Sequence, residues 1–414
     1  MKYNYPWSKK FFHLGILTMK LPLRKALICI LIVLVSFLVY SRKVNLNEDA
    51  LFESKFENPS DIEFKVEPCF FEDSLTYKYY EDRKGEGDVQ KNIGYINNKF
   101  GLYVYSTENF IKKADELINS NGGDWGYVLI PYNVRDYDGS KWRKIFDLLN
   151  KKHLIPIIQL WDFSAKSYKK DTEKAANFLN KLLWPIEKKY ISVYNETNDS
   201  RFWKGKVNPK EYAEVLDFTI KTFKSYDKGF FMLNGAFNST APNLNGYMDE
   251  ELYLVRMNDS TPGIFSKLDG WASHPYPMPA YLGKPSEYGR QSVRGYEWEL
   301  DVLKNRFGIE TIPVFITETG WPHAEGKNHN YGFYDSNTVA SYIKETFEKV
   351  WLKDDRVVAI TPFTIYYDPP FDHFSWVKKD GSVYPQFDLI KSLKKVSGRP
   401  PVLTYVEKEV ITCP

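Results

Sequence analysis

Two glutamates in this chain stand in the same kind of place. Glu196 follows the run KYISVYN (189–195) and Glu318 follows IPVFIT (312–317), so each acid comes where a short β-branched and aromatic segment ends. A carboxylate pair held across a cleft can divide a reaction: one acid delivers a proton to a leaving oxygen while the other attacks, or activates a water. Partial burial beside an apolar strand lifts the pKa of one acid, and the charge of its neighbour lifts it further, which keeps one carboxyl protonated near neutral pH.

Other residues of useful chemistry stand at matching positions. Asn195 precedes the first acid, His274 and Tyr276 follow DGWAS (269–273), and Arg135 lies beyond WGYVLI (125–130). Arg135 is expected to hold the Glu318 carboxylate ionised through a charge-assisted hydrogen bond, and His274 to hydrogen-bond that carboxylate or a ligand hydroxyl. Trp161 follows LIPIIQ (154–159) and Trp376 sits in HFSWVKKDG, and both would offer flat faces to a ligand, with Trp203, Trp321 and Tyr366 as further stacking surfaces. No metal-ligand spacing, glycine-rich phosphate loop or serine nucleophile elbow occurs, so no metal or cofactor is expected.

Such groups need a frame that brings strand ends together. Eight runs read as strands, at 100–105, 125–130, 154–159, 190–194, 229–234, 269–273, 312–317 and 357–363. Between them lie amphipathic stretches at 108–119, 141–151, 172–183, 209–225, 248–257, 296–307 and 336–352, with a last one at 385–396. Asn208-Pro209-Lys210-Glu211 supplies an N-cap, a proline at the first helical position and a returning acid, and Gly308 stands where a C-cap glycine belongs. Strands alternating with helices predict an α/β fold, a (β/α)8 TIM barrel whose strand C-termini gather the candidate residues on one rim.

With those motifs in order, the chain resembles the clan A superfamily of retaining (β/α)8 glycoside hydrolases over about residues 95–396. Tyr194-Asn195-Glu196-Thr197-Asn198 looks like its acid/base segment. Ile316-Thr317-Glu318-Thr319-Gly320-Trp321-Pro322 looks like its nucleophile segment, especially as found in β-1,3-glucanases. The resemblance implies that Glu196 is the general acid/base, Glu318 the nucleophile, Asn195 a donor to the sugar 2-hydroxyl, and Trp376 the platform under the cleaved sugar. The implied substrate is a polysaccharide or oligosaccharide with β-glycosidic bonds. The alternatives are a transglycosylase, with the same residues and another acceptor, and a non-catalytic glycan-binding or scaffold barrel. The aromatic share of 17% suits sugar stacking as well as a core.

Charge narrows the partners. Residues 1–25 hold six cations and no acid, leaving 50 cations against 53 acids elsewhere, so the body is mildly acidic and nucleic acid is not an expected ligand. The basic head precedes Ala26–Tyr40 (ALICILIVLVSFLVY), which reads as a signal-anchor with the N-terminus cytoplasmic and the remainder extracytoplasmic; a cleaved signal peptide and secretion is the alternative. The expected organisation is a basic cytoplasmic segment at 1–25, a transmembrane signal-anchor at 26–43 and a stalk at 44–92. The barrel follows at 93–400 and a tail at 401–414. Met19 opens a second plausible start, and Cys69 and Cys413 could pair in an oxidising compartment.

Overall fold

The computed structural model describes residues 98–327 and 332–403. The expected anchor at 26–43, the stalk, Cys69, Cys413 and most of the tail lie outside these residues. Among the described residues no helix is long and apolar enough to cross a membrane.

Eight strands run parallel: β1 (Gly101–Tyr103), β2 (Gly126–Asn133), β3 (Leu154–Trp161), β4 (Lys189–Val193), β5 (Phe230–Asn234), β6 (Trp271–Ser273), β7 (Val314–Ile316) and β8 (Val357–Ile360). They form a five-stranded sheet β1-β2-β3-β4-β5 and a three-stranded sheet β6-β7-β8. Parallel bridges Leu233–Gly270 and Phe100–Ile360 join β5 to β6 and β8 to β1, closing the ring. After them come α1 (Glu108–Ile118), α2 (Gly139–Lys151), α3 (Tyr168–Asn180), α4 (Pro209–Tyr226), α5 (Glu250–Ser260), α6 (Gly295–Phe307), α7 (Ser336–Lys349) and α8 (Pro385–Ser392). This is one helix after each strand, a (β/α)8 arrangement. Local chemistry sets the boundaries: Asn208 Oδ1 accepts from Glu211 N at 3.1 Å with Pro209 opening α4, and Gly308 closes α6 at φ 70°.

Strand periodicity divides the core into two layers. On β2, Val128 and Ile130 pack outward among the helices, while Tyr127 and Leu129 fill the barrel interior. On β3, Leu154 and Ile158 face out and Ile155 and Ile157 face in. The same alternation carries Gln159 and Trp161 to the interior side at the C-terminal end, where the site must be.

Candidate active site

Glu196 owes its position to a break in strand geometry. Tyr190 lies in the interior cluster, but Tyr194 takes φ 70° and Glu196 takes φ 37°. Residues with a Cβ enter that region at a cost on the order of 1–3 kcal/mol each, and such strain gathers at functional sites. The turn sends Tyr194 into the outer core against Trp203 and Phe163, and leaves Asn195 and Glu196 at the cleft. Neighbours fix it: Glu196 N donates to Ala236 O at 2.8 Å, and Tyr212 Oη donates to Val193 O at 2.9 Å while accepting from Gly235 N at 2.7 Å. A side chain at Gly235 would place its Cβ 2.5 Å from Val193 O, so this close approach of β5 to β4 needs glycine.

His274 stands between the two acids. Its Nδ1 is 3.0 Å from Glu196 Oε1 and its Nε2 is 3.9 Å from Glu318 Oε1. The ring is buried and Nε2 has no hydrogen-bond partner among the described residues. Tyr276 Oη donates to the other Glu318 oxygen, Oε2, at 3.1 Å. Burial pushes Glu318 up to about 7; the Glu196 charge adds to that, while His274 and the Tyr276 hydrogen bond oppose it. Burial alone would lower the His274 pKa, but the Glu318 and Glu196 carboxylates outweigh it and the net shift is upward. Burial, with Glu318 next, holds Tyr276 and Tyr103 well above the ordinary phenol range, so both remain donors.

A cavity of about 310 Å³ opens over this group, near the small end of the roughly 300–1,000 Å³ usual for ligand pockets. Glu196, Glu318, Asn195, Tyr276 and Trp161 all line it, so five of the expected residues converge. His274 supports two of them from beneath. Arg201 and Phe202 come from the loop after β4, Tyr103 from β1 and Tyr105 from just beyond it, Tyr281 from the β6 loop, and Phe363, Tyr367, Phe371 and Phe374 from the β8 loop. Sequence reasoning missed most of these. The alternation in FGLYVY, with Leu102 and Val104 outward, was the available signal for Tyr103 and Tyr105; nothing comparable marks the loop aromatics.

Other expected residues are placed elsewhere. Arg135 does not reach Glu318. β2 ends at Asn133, whose Oδ1 accepts from Arg135 N at 2.9 Å, and the turned chain delivers the guanidinium to Asp171 Oδ2 at 2.8 Å and to Asp162. Lys204 reaches the same Asp162 at 3.0 Å, so Arg135 belongs to a rim network that ties the β2, β3 and β4 loops. Trp376 is not a platform in the cavity: it is buried in the outer core, and its backbone N–H donates to Thr364 O at 3.1 Å. Phe374, two residues earlier, reaches the cavity in its place. Trp203 stacks on Phe163 at 3.8 Å within the core, and the buried Trp321 donates to Gly283 O at 2.7 Å. Tyr366 stacks on Phe110 at 6.0 Å, outside the cavity lining.

No protein-family model matches the chain, and no curated protein matches it. Solved structures do. A monomeric β-xylosidase from Caulobacter crescentus CB15 is 15% identical, with 76% of this chain and 71% of that chain covered, at a TM-score of 0.50. A GH128 subgroup II endo-β-1,3-glucanase from Pseudomonas viridiflava is 14% identical over 71% of this chain and 97% of that chain, at 0.47. A β-glucanase from Saccharophagus degradans, solved with cellotetraose, is 16% identical over 71% and 86%, at 0.45. The likeness to the xylosidase is one of fold. What this chain does has to be argued from its own site.

Proposed function

We propose that this chain is a retaining glycoside hydrolase that cleaves β-glycosidic bonds of an envelope or extracellular polysaccharide by double displacement. The observation that carries the reading is the convergence of Glu196 and Glu318, from the ends of β4 and β7, on one aromatic cavity with His274 between them. Glu318 attacks the anomeric carbon while Glu196 protonates the departing oxygen. Glu196 then takes a proton from water as that water displaces the sugar from Glu318. Aromatic faces stack the rings, and Asn195 contacts the hydroxyl next to the reacting carbon.

The electrostatics put a condition on this scheme. Burial lets Glu318 hold its proton up to about pH 7, yet a nucleophile must be ionised. His274 already works against this, since its cation lowers Glu318 while its Nδ1 hydrogen-bonds Glu196, and without it Glu318 would sit higher still. kcat/KM is therefore expected to fall as pH drops below about 7, where Glu318 becomes neutral. A Glu318 acting as the acid would give the opposite limb. Membrane attachment through 26–43, with the barrel on the outer face, is the part of the reading that favours an envelope glycan.

The test is hydrolysis of a panel of β-glucans, β-mannans, galactans and aryl β-glycosides by the full chain in detergent, beside E318A and E196A. Activity lost in E318A and partly restored by azide, with the product anomer inverted, supports the nucleophile. Wild type that hydrolyses nothing yet binds the same glycans would replace this reading with a binding barrel.

A further inference from the structure

Gln159 lies on the interior face of β3, one step below Trp161, and is completely buried. It does not touch the cavity itself, but it touches two residues that do. Trp161 Nε1 donates to Gln159 Oε1 at 2.7 Å, and Gln159 Nε2 donates to Asn195 Oδ1 at 3.0 Å. An indole N–H can only donate, so only the carbonyl oxygen of Gln159 can meet it. The Gln159 N–H2 is thereby turned to Asn195, whose carbonyl oxygen must accept. What Asn195 has left for a ligand is its own N–H2. Three side chains thus form a one-way relay, and its direction is set by the group that cannot reverse.

We propose that Gln159 is a positioning residue of the active site, which fixes Trp161 as a wall and Asn195 as a hydrogen-bond donor toward a sugar hydroxyl. The ligand in this proposal rests on the glycosidase reading. The donor sense matters because a hydroxyl has one proton. Beside an ionised Glu318, which can only accept, the hydroxyl gives that proton to the carboxylate and needs a donor on its oxygen. An Asn195 turned the other way would present a second acceptor and leave the oxygen unmatched, at a cost of roughly ten- to hundredfold in rate.

Q159E tests the relay with little change of shape. Ionised, the introduced carboxylate accepts from Trp161 and also from Asn195, which must flip, so kcat/KM is expected to fall roughly ten- to hundredfold. Protonated, its O–H donates to Asn195 Oδ1 as the amide did. The ratio of Q159E to wild type should therefore climb toward one as pH is lowered, whereas a packing defect would leave that ratio flat. In the N195A background, Q159E is expected to add no further loss. W161F, which keeps a ring and removes the indole donor, gives a second route if Q159E does not fold: its loss should likewise shrink in N195A beyond the part due to the smaller ring. Additive losses with a flat pH ratio overturn the proposal. The readout that needs no activity is the Asn195 side-chain N–H2 resonance in selectively ¹⁵N-asparagine-labelled full chain, assigned by its loss in N195A. It should move downfield in Q159E and return at low pH. That shift in a protein that hydrolyses no glycoside would overturn the glycosidase reading and keep the relay; an unmoved resonance in an active enzyme would do the reverse.

Discussion

Two pairs of glutamates occupy this barrel, Glu196 partly exposed and the other three buried, and they differ in what surrounds them. Glu196 and Glu318 line the cavity with His274 and Tyr276 against their oxygens. Glu250, in the first turn of α5, and Glu299, in α6, sit in the helix layer, both completely buried. Glu299 Oε2 accepts from Trp271 Nε1 at 2.7 Å, and neither Glu250 oxygen has a hydrogen-bond partner among the described residues. Burial pushes Glu299 up to about 7, the same value as Glu318. A raised carboxyl pKa therefore does not identify a catalytic acid. Access to a ligand separates the two pairs: Glu196 and Glu318 line the cavity, and Glu250 and Glu299 do not.

The largest test of this distinction is to neutralise one acid from each pair. E318Q is expected to lower kcat/KM on the best aryl β-glycoside by roughly 10³-fold or more, on the scale seen when a nucleophile is removed. E299Q, equally buried, should leave it within about twofold. Comparable losses in both would mean that the helix-layer pair takes part in the chemistry. Next in size is His274. H274F removes the group that holds Glu318 down, so the acidic limb of the kcat/KM profile should move to higher pH and the maximum should fall by roughly 10²-fold. A limb that stays in place would show that His274 acts on shape alone. Y276F removes one charge-assisted donor from Glu318 Oε2 and should cost about tenfold, with a smaller displacement in the same direction.

The same contrast shows what a sequence can disclose. Alternating apolar runs located all eight strands, because a parallel barrel strand is buried on both faces and must be apolar nearly throughout. The acids at the ends of β4 and β7 were visible for the same reason, as charges interrupting such runs. Arg135 lies two residues beyond β2 and Trp376 sixteen beyond β8, in loops where no periodicity sets the direction of a side chain. Arg135 went to Asp162 and Asp171, and Trp376 went into the core, leaving Phe374 to the cavity. Gln159 stood in plain view as a polar residue within LIPIIQ, in the inward phase of Ile155 and Ile157. Its role depends on partners brought from Trp161 and Asn195 by the closed fold.

The smallest expected effect on activity is also the sharpest on stability. Glu299 titrates at about 7 in the folded protein against an ordinary 4.5, so the folded state holds its proton more tightly than the unfolded chain. The stability gained from that proton is fully present below about pH 4.5 and is lost as pH rises through about 7. The shift corresponds to about 3 kcal/mol at most. E299Q stays neutral and keeps a carbonyl oxygen for the Trp271 indole. It should therefore match wild type near pH 4.5 and exceed it in urea midpoint at pH 8, with the gap opening between those limits. Glu250 faces the same burial and the charge of Glu299, so neutralising Glu299 also removes one source of its upward shift. Should E299Q prove less stable than wild type at pH 8, the ionised form would be the one the fold holds. The helix-layer pair would then be an ion cluster anchored by Arg290, whose charge lowers both pKa values, and it would no longer be a store of buried protons.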